Sequence, residues 1–315
     1  MTTTPSTEDR IWAALSHLSA LAFGFGILLP VVGWSDQRRK SKYASFQCLQ
    51  ALGYQSLGYT VWILLTLLVI IALLFIMIPA ISIADFNGGD VDSIIGTWMI
   101  VIFIAMFGLM GLYVIFPVMA AISSALGRDY RYPMMGNRLA RYLGYDSTNE
   151  ERLNEDHEDR WVAAMGHFSI IIALWGMLAP LTALLLQGKR SLFLKFQSIQ
   201  TLVYQAIATI LYFGAGFVYL FGIFLLAAIM GIAGNLQSGS TAGMLGFIIF
   251  IIASLIAIAI ILLIPLFHIL GQYAGYRVLK GDDYHYPVLG KLVEKSISRK
   301  TSLPESTAGD GGLSL

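Results

Sequence analysis

Residues 10–19 read RIWAALSHLS, and residues 160–169 read RWVAAMGHFS. At that same offset of 150 residues (160 against 10), His17 aligns with His167, Gly26 with Gly176, Pro30 with Pro180 and Phe46-Gln47 with Phe196-Gln197. Gln50 likewise aligns with Gln200, and Tyr54-Gln55 with Tyr204-Gln205. Further on the offset drifts to 154 (283 against 129), where Asp129-Tyr130-Arg131-Tyr132-Pro133 aligns with Asp283-Tyr284-His285-Tyr286-Pro287. Polar identities in ordered register within apolar surroundings are not produced by composition alone. The chain is one module written twice, and any fold that serves the first copy must serve the second. The repeat sets the boundaries: a polar N-terminus over 1–9, a first module over 10–143, an acidic linker over 144–159, a second module over 160–300 and a tail over 301–315. The linker lacks apolar periodicity and is expected to be solvated, with its last acids suited to the N-terminus of the next helix. The tail is rich in Ser, Thr and Gly and is expected to be disordered. The N-terminus, MTTTPSTEDR, has no basic segment ahead of its first apolar run, so no removable signal peptide is expected.

The material of each module is apolar. Of 315 residues, 57% are apolar and only 12% charged, with a mean hydropathy of +0.72. A soluble domain carries about 25% charged residues, so much of this chain must face lipid, and the bilayer is its first expected partner. The net charge of +1 gives no electrostatic reason to expect nucleic acid. The single cysteine, Cys48, excludes an intrachain disulfide and reads as a small buried apolar residue.

Each module holds three apolar blocks, over 11–36, 44–84 and 91–126 in the first and over 161–187, 193–234 and 242–279 in the second. The second and third blocks each supply one membrane-spanning helix, since about 20 apolar residues suffice. The first block is ambiguous. Gly24-Phe25-Gly26 and Pro30 interrupt one copy, and Gly176 and Pro180 the other. Broken there, each arm of roughly 12 residues reaches about 18 Å, too short for about 30 Å of hydrocarbon, and fits a re-entrant hairpin shielded by other helices. Charge placement separates the alternatives. If the first block crosses, the two copies are inverted and the 20 Lys and Arg residues divide evenly between the two sides. If it enters and leaves on one face, all of them lie on that face, and the opposite loops, 81–97 and 231–243, contain none. The preference of basic residues for the cytoplasm favours the second arrangement. The expected fold is therefore an all-α integral membrane protein of two tandem parallel modules. Each is a re-entrant or broken helical hairpin, two long transmembrane helices and a short interfacial amphipathic helix. The expected location is the inner (plasma) membrane, crossed several times, with both termini cytoplasmic. The amphipathic helices follow the DYxYP elements, whose Tyr130, Tyr132 and Pro133, and Tyr284, Tyr286 and Pro287, are placed at the headgroup layer.

The pattern RxWAxLxHLS, a Gly/Pro-broken apolar block, a basic stretch, FQxxQAL, two long spans and a terminal YxYP resembles the bacterial membrane domain of unknown function related to the chloroplast import component Tic-twenty. The resemblance covers nearly the whole chain, twice. It implies a scaffold or subunit of a membrane assembly, translocon-like, with other membrane-protein subunits as partners. The usual single-module form implies that each copy here supplies half of an assembly that others make by association. No catalytic residues come with the resemblance.

The candidate polar residues are His17, Gln47 and Gln50 and their counterparts His167, Gln197 and Gln200. Ionisable groups inside membrane segments are costly and mark function or a polar tie. Each glutamine pair is spaced i,i+3 and shares a helix face, extended by Tyr54 or Tyr204. A neutral imidazole could bond Gln47 or Gln197 and fasten the hairpin to the next helix, or the same residues could line a polar path. His268 with Pro265 suggests a kink with a locally satisfied histidine. Gly281-Asp282-Asp283 reads as a turn, and Asp85 to Asp92 as a solvated turn without calcium-loop spacing. Gly108, Gly111, Gly214 and Gly216 would permit close helix packing. HxxxH, CxxC, HExxH and phosphate-loop patterns are absent, so no cofactor, metal or catalytic set is expected. Three functions remain at this level: a non-enzymatic scaffold, a small-solute or ion conductor with a path between the modules, and, last, an intramembrane enzyme.

Overall fold

The computed structural model describes residues 4–149, 151–235 and 239–301, and its regular elements are all helical. Residues 302–315, most of the tail expected to be disordered, lie outside the described residues, as do residues 1–3. The first copy comprises α1 (Thr7–Leu18), α2 (Leu28–Gln37), α3 (Lys42–Gly53), α4 (Tyr59–Phe86), α5 (Val91–Ala125) and α6 (Gly136–Leu143). The second comprises α7 (Glu155–Phe168), α8 (Leu178–Gln187), α9 (Leu192–Asn235), α10 (Gly239–Leu279) and α11 (Leu289–Thr301). A π turn, Tyr54–Gly58, joins α3 and α4 into one rod, for which α9 is the uninterrupted counterpart.

The first block of each copy folds back on itself. Gln37 Nε2 donates to Glu8 Oε1 at 3.0 Å across 29 residues of sequence. Deeper in, Gly33 lies against Trp12 and Ser16. In the second copy Gly166 lies against Pro180 in the same way. Thr7–Gln37 and Glu155–Gln187 are long and apolar enough to cross a membrane as straight helices. They do not form them, because a tight segment of 3-10 turns interrupts each, with Phe23 at φ 48° and Ala173 at φ 51°. The arms α1 and α2 have 12 and 10 residues, about 18 and 15 Å at 1.5 Å per residue. The ambiguity over this block resolves to the broken hairpin, with both ends of each block at one face.

The turn has a steric origin. A Cβ on Gly26 would stand 1.9 Å from the Ser19 carbonyl oxygen, and one on Gly176 2.0 Å from that of Ser169. Pro30 and Pro180 sit in the first turns of α2 and α8, where a missing N–H costs little because those donors have no intrahelical partner. At the other end of the first hairpin, the Ser6 hydroxyl accepts from Asp9 N while the Asp9 carboxylate accepts from Ser6 N, a reciprocal cap.

Burial assigns different jobs to hairpins and rods. The apolar windows of the hairpin blocks are 44% buried, whereas those of the four rods are 0 to 11% buried. The rods' side chains, Leu68, Phe75 and Phe224 among them, are therefore outer surface and require lipid around them. The core is built by the hairpins and the segments they clasp. One contiguous cluster joins Ile27, Val31 and Trp34 to Phe46, Leu49 and Leu52 of α3, and then to Trp161, Val162 and Met165 of α7 and Ala179 and Ala183 of α8. Both copies contribute to it, so the seam between the modules is packed apolar side chains.

Three expectations are corrected here. The linker is not solvated throughout: Tyr145 and Leu153 are buried, and so are Glu158 and Asp159 in the first turns of α7. Its acids were bound to look solvated in sequence, because their cationic partner lies in the other module. The amphipathic helix α6 does not turn its apolar face to lipid, since Leu139, Ala140 and Leu143 belong to the core cluster. Finally, Gly108, Gly111, Gly214 and Gly216 serve no close packing within the chain, because a Cβ at any of them would meet nothing within 4 Å.

Candidate functional site

The two residue sets singled out separately in each copy, the His–Gln–Gln set and the YxYP corner, meet in one buried network. His17 Nε2 lies 2.9 Å from Gln47 Oε1, and His17 Nδ1 lies 3.0 Å from the Tyr132 hydroxyl. Gln47 Nε2 donates to Asp129 Oδ1 at 3.2 Å and to the Tyr130 carbonyl at 3.1 Å. Gln50 Nε2 donates to Gln47 Oε1 at 3.1 Å and to the Tyr130 carbonyl at 3.0 Å, while Gln50 Oε1 accepts from Tyr132 N at 3.0 Å. The second copy repeats this. His167 bonds Gln197 Oε1 and the Tyr286 hydroxyl, each at 3.0 Å. Gln197 donates to Asp283 and the Tyr284 carbonyl, and Gln200 caps Tyr286 N. His17, Gln47, Gln50, His167, Gln197 and Gln200 are all fully buried. Pro133 and Pro287 follow the tyrosines and begin the turns into α6 and α11.

The partners fix the protons. Asp129 and the Tyr130 carbonyl only accept, so the Gln47 amide nitrogen must face them and its oxygen must face the histidine. His17 Nε2 therefore carries the proton, and Nδ1 accepts from the Tyr132 O–H. Burial, reinforced by the neighbouring phenols Tyr54 and Tyr130, pushes Tyr132 well above its ordinary pKa. The same cause acts on Tyr286, so each phenol stays a donor. With both ring nitrogens engaged, the imidazole has no lone pair left to ligate a metal or take a proton without breaking a bond. The arrangement is a polar rivet. It fastens hairpin, first rod and post-span corner of each module.

The two rivets differ in one partner. Thr201 Oγ1 stands 2.9 Å from His167 Nδ1 while donating to the Gln197 carbonyl at 2.7 Å, whereas Ala51 occupies the equivalent place in the first copy. Tyr132→Phe strips His17 Nδ1 of its donor and is expected to cost about 1–2 kcal/mol. Tyr286→Phe is expected to cost less than half of that, because the Thr201 hydroxyl can rotate onto Nδ1. Thermal unfolding of the two variants in the same detergent checks the difference.

A second set of ties, which sequence reasoning left without a role, closes each hairpin tip. The Ser19 hydroxyl donates to the Ser16 and Gly26 carbonyls at 2.8 and 2.9 Å, and Gln55 Nε2 reaches Ser16 O and Ser19 Oγ at 3.1 and 3.0 Å. Ser169, Gly176 and Gln205 do the same in the second copy. The tips then meet: the Phe25 and Trp175 rings lie 3.7 Å apart between centroids. At the mouths, Arg38 pairs with Glu158 at 3.0 Å and with Asp159 at 2.8 Å, and Gln187 Nε2 donates to Ser35 Oγ at 2.6 Å. His268 stands apart from all this, 3.1 Å from the Tyr212 hydroxyl, and α10 runs unbroken past Pro265.

Comparison with known protein families places both modules. The model of the magnetosome magnetite crystal formation protein family (MamF/MmsF) matches residues 8–139 and again residues 158–293, one match per module. No curated protein and no solved structure matches the chain.

Proposed function

The chain belongs to the magnetosome magnetite crystal formation protein family, and we propose that it acts there as a non-enzymatic membrane scaffold, a rigid two-module platform on which other membrane subunits assemble. The observation that carries this reading is the seam. The modules meet through a contiguous apolar core, the Arg38 pairs with Glu158 and Asp159 and the Gln187–Ser35 bond, an arrangement suited to holding shape and poorly suited to passing solute. The similarity of the repeat to Tic-twenty relatives supports a role in assembly and supplies no activity.

In this reading the polypeptide crosses a membrane of inner-membrane origin four times, with both termini, the linker and the hairpin mouths cytoplasmic. The one-sided placement of all 20 Lys and Arg residues supports it. In a Cys48→Ala background, Lys189→Cys is expected to resist a membrane-impermeant maleimide applied from the non-cytoplasmic side, and Ser93→Cys to react. Lys189 is exposed and a better reporter than the neighbouring Ser191, whose hydroxyl bonds the buried Asp159. Reaction at Lys189→Cys from that side would overturn the topology.

The function is tested by crosslinking in native membranes with identification of the attached proteins, alongside flux through the purified chain in vesicles. Specific membrane-protein partners and tight vesicles are expected. Solute or ion flux that tracks the amount of inserted protein would replace the scaffold with a conductor.

A further inference from the structure

An open cleft of about 580 Å³ lies beside the mouth of the first hairpin, between the α2–α3 corner, the N-terminal arm and the linker. We infer that this cleft binds a phosphate-bearing anion, gripped from two walls by Arg39 of the corner and Arg152 of the linker. The volume falls in the range of roughly 300–1,000 Å³ typical of small-molecule sites.

The argument is one of unspent charge. Five cations line the cleft. Arg38 is taken by Glu158 and Asp159. Lys40 pairs with Asp36 at 2.8 Å and approaches Glu8 at 4.0 Å. Lys42 is bound by the Asp146 carbonyl and by the carbonyl and side chain of Asn149, which fixes the linker as the far wall. Arg39 and Arg152 are exposed and have no anionic partner among the described residues.

The acids that share the lining are already committed. Asp9 closes the α1 cap, and Asp129 accepts from Gln47 and Tyr145 and pairs with Arg131 at 3.0 Å. The charge of Asp129 is met by Arg131, whereas Asp9, capped by neutral donors, keeps its own; among the described residues the lining therefore sets two unpaired guanidinium groups against one unpaired carboxylate. Ser41 and Ser147 add hydroxyls at the same lining. Two guanidinium forks with hydroxyl donors suit the several oxygens of a phosphate group better than a lone carboxylate. The corner sits at the membrane face, so the phosphate could belong to a soluble compound or to a lipid headgroup, and the two share this chemistry. The second module provides an internal control. Its equivalent corner carries Lys189 and Arg190, also exposed, but no counterpart of the linker wall is present among the described residues.

The inference is independent of the scaffold reading. The test uses the full chain in bilayer discs. Inorganic pyrophosphate is titrated by calorimetry in phosphatidylcholine discs, and bound phosphatidylglycerol is counted by native mass spectrometry from mixed discs. The double variant R39Q/R152Q is expected to weaken whichever probe binds by about tenfold or more, while K189Q/R190Q leaves it unchanged. Pyrophosphate binding points to a soluble compound, and retention of phosphatidylglycerol alone points to a headgroup. Either supports the site. Equal losses in the two double variants would reduce the effect to bulk charge and overturn it, as would failure of both probes to bind. Should R39Q/R152Q lose its helical signal, the single R152Q, at an exposed linker position, carries the same comparison.

Discussion

Replacing Arg38 by alanine is expected to cost about 3–5 kcal/mol, because it leaves two buried carboxylates without a cationic partner. The Glu158 side chain is 1% exposed and that of Asp159 12%, and Arg38, itself 7% exposed, meets both at 3.0 and 2.8 Å. Its third nitrogen donates to the Glu155 carbonyl at 3.0 Å, and its guanidinium lies 5.0 Å from the centre of the Trp34 ring. The Trp34 indole also donates to Glu158 at 3.3 Å. Removing the cation therefore strands charge at the module seam and loosens the core cluster that Trp34 belongs to.

The counter-experiment separates charge from shape. A triple variant, Arg38→Met with Glu158→Leu and Asp159→Asn, is expected to regain most of the loss, since a buried ion pair replaced by apolar groups of similar volume is often neutral or better, and the neutral amide at position 159 keeps the Ser191 hydroxyl as its partner. Lys40→Ala breaks only exposed contacts to Asp36 and Glu8, and surface pairs are worth about 0–1 kcal/mol. Unfolding in mixed detergent with denaturing surfactant ranks the three. An Arg38→Ala protein as stable as the parent would show that the seam does not depend on this ion cluster.

This cluster also shows what duplication permits. The repeat places Gly188 where Arg38 stands and Glu8 where Glu158 stands. A symmetric pair of identical modules would form the contact twice or not at all. In the fused chain it forms once. Trp161 is similarly one-sided: its indole donates to the Leu49 carbonyl at 2.9 Å, while its counterpart Ile11 is exposed.

These asymmetric contacts are what the sequence hid. Identities between the copies exposed the rivet residues, because His17, Gln47, Gln50 and the YxYP corner recur in register and are polar within apolar blocks. The same comparison contained Ser19 with Ser169 and Gln55 with Gln205, yet short polar side chains at a turn carry no local sign of which carbonyl they will meet. The Gly and Pro interruptions suggest the hairpin, but only charge placement selects it, since length and composition also allow six crossings. Arg38 could not be matched to Glu158 at all, because 120 residues separate them and no repeat partner repeats the pair. The glycines in the rods misled for a related reason: a small residue looks the same in sequence whether a helix, a lipid chain or open space lies beside it.

The sharpest case among the glycines is the hairpin tip. Gly26→Ala and Gly176→Ala are each expected to destabilise their module by about 3 kcal/mol or more, beyond the usual 1–3 kcal/mol of an overpacked site. The added methyl would stand 1.9 or 2.0 Å from a backbone carbonyl oxygen, and backbone at a tight turn cannot step aside as a flexible side chain can. To admit it the turn must open, and opening breaks the Ser19 and Gln55 ties, or those of Ser169 and Gln205, that close the tip. The Phe25–Trp175 contact between tips would be lost with them, so damage begun in one module should reach the other. Gly108→Ala is the matched control, with the same substitution in the same chain and nothing within 4 Å. There the higher helix propensity of alanine, worth up to about 1 kcal/mol, should leave the protein as stable or slightly more so. The comparison is read from thermal unfolding together with limited proteolysis at the hairpin mouths, where an opened turn should release the α2–α3 corner. If Gly26→Ala and Gly108→Ala melt alike, the blocks do not turn back at these glycines, and the four-crossing topology loses its structural basis.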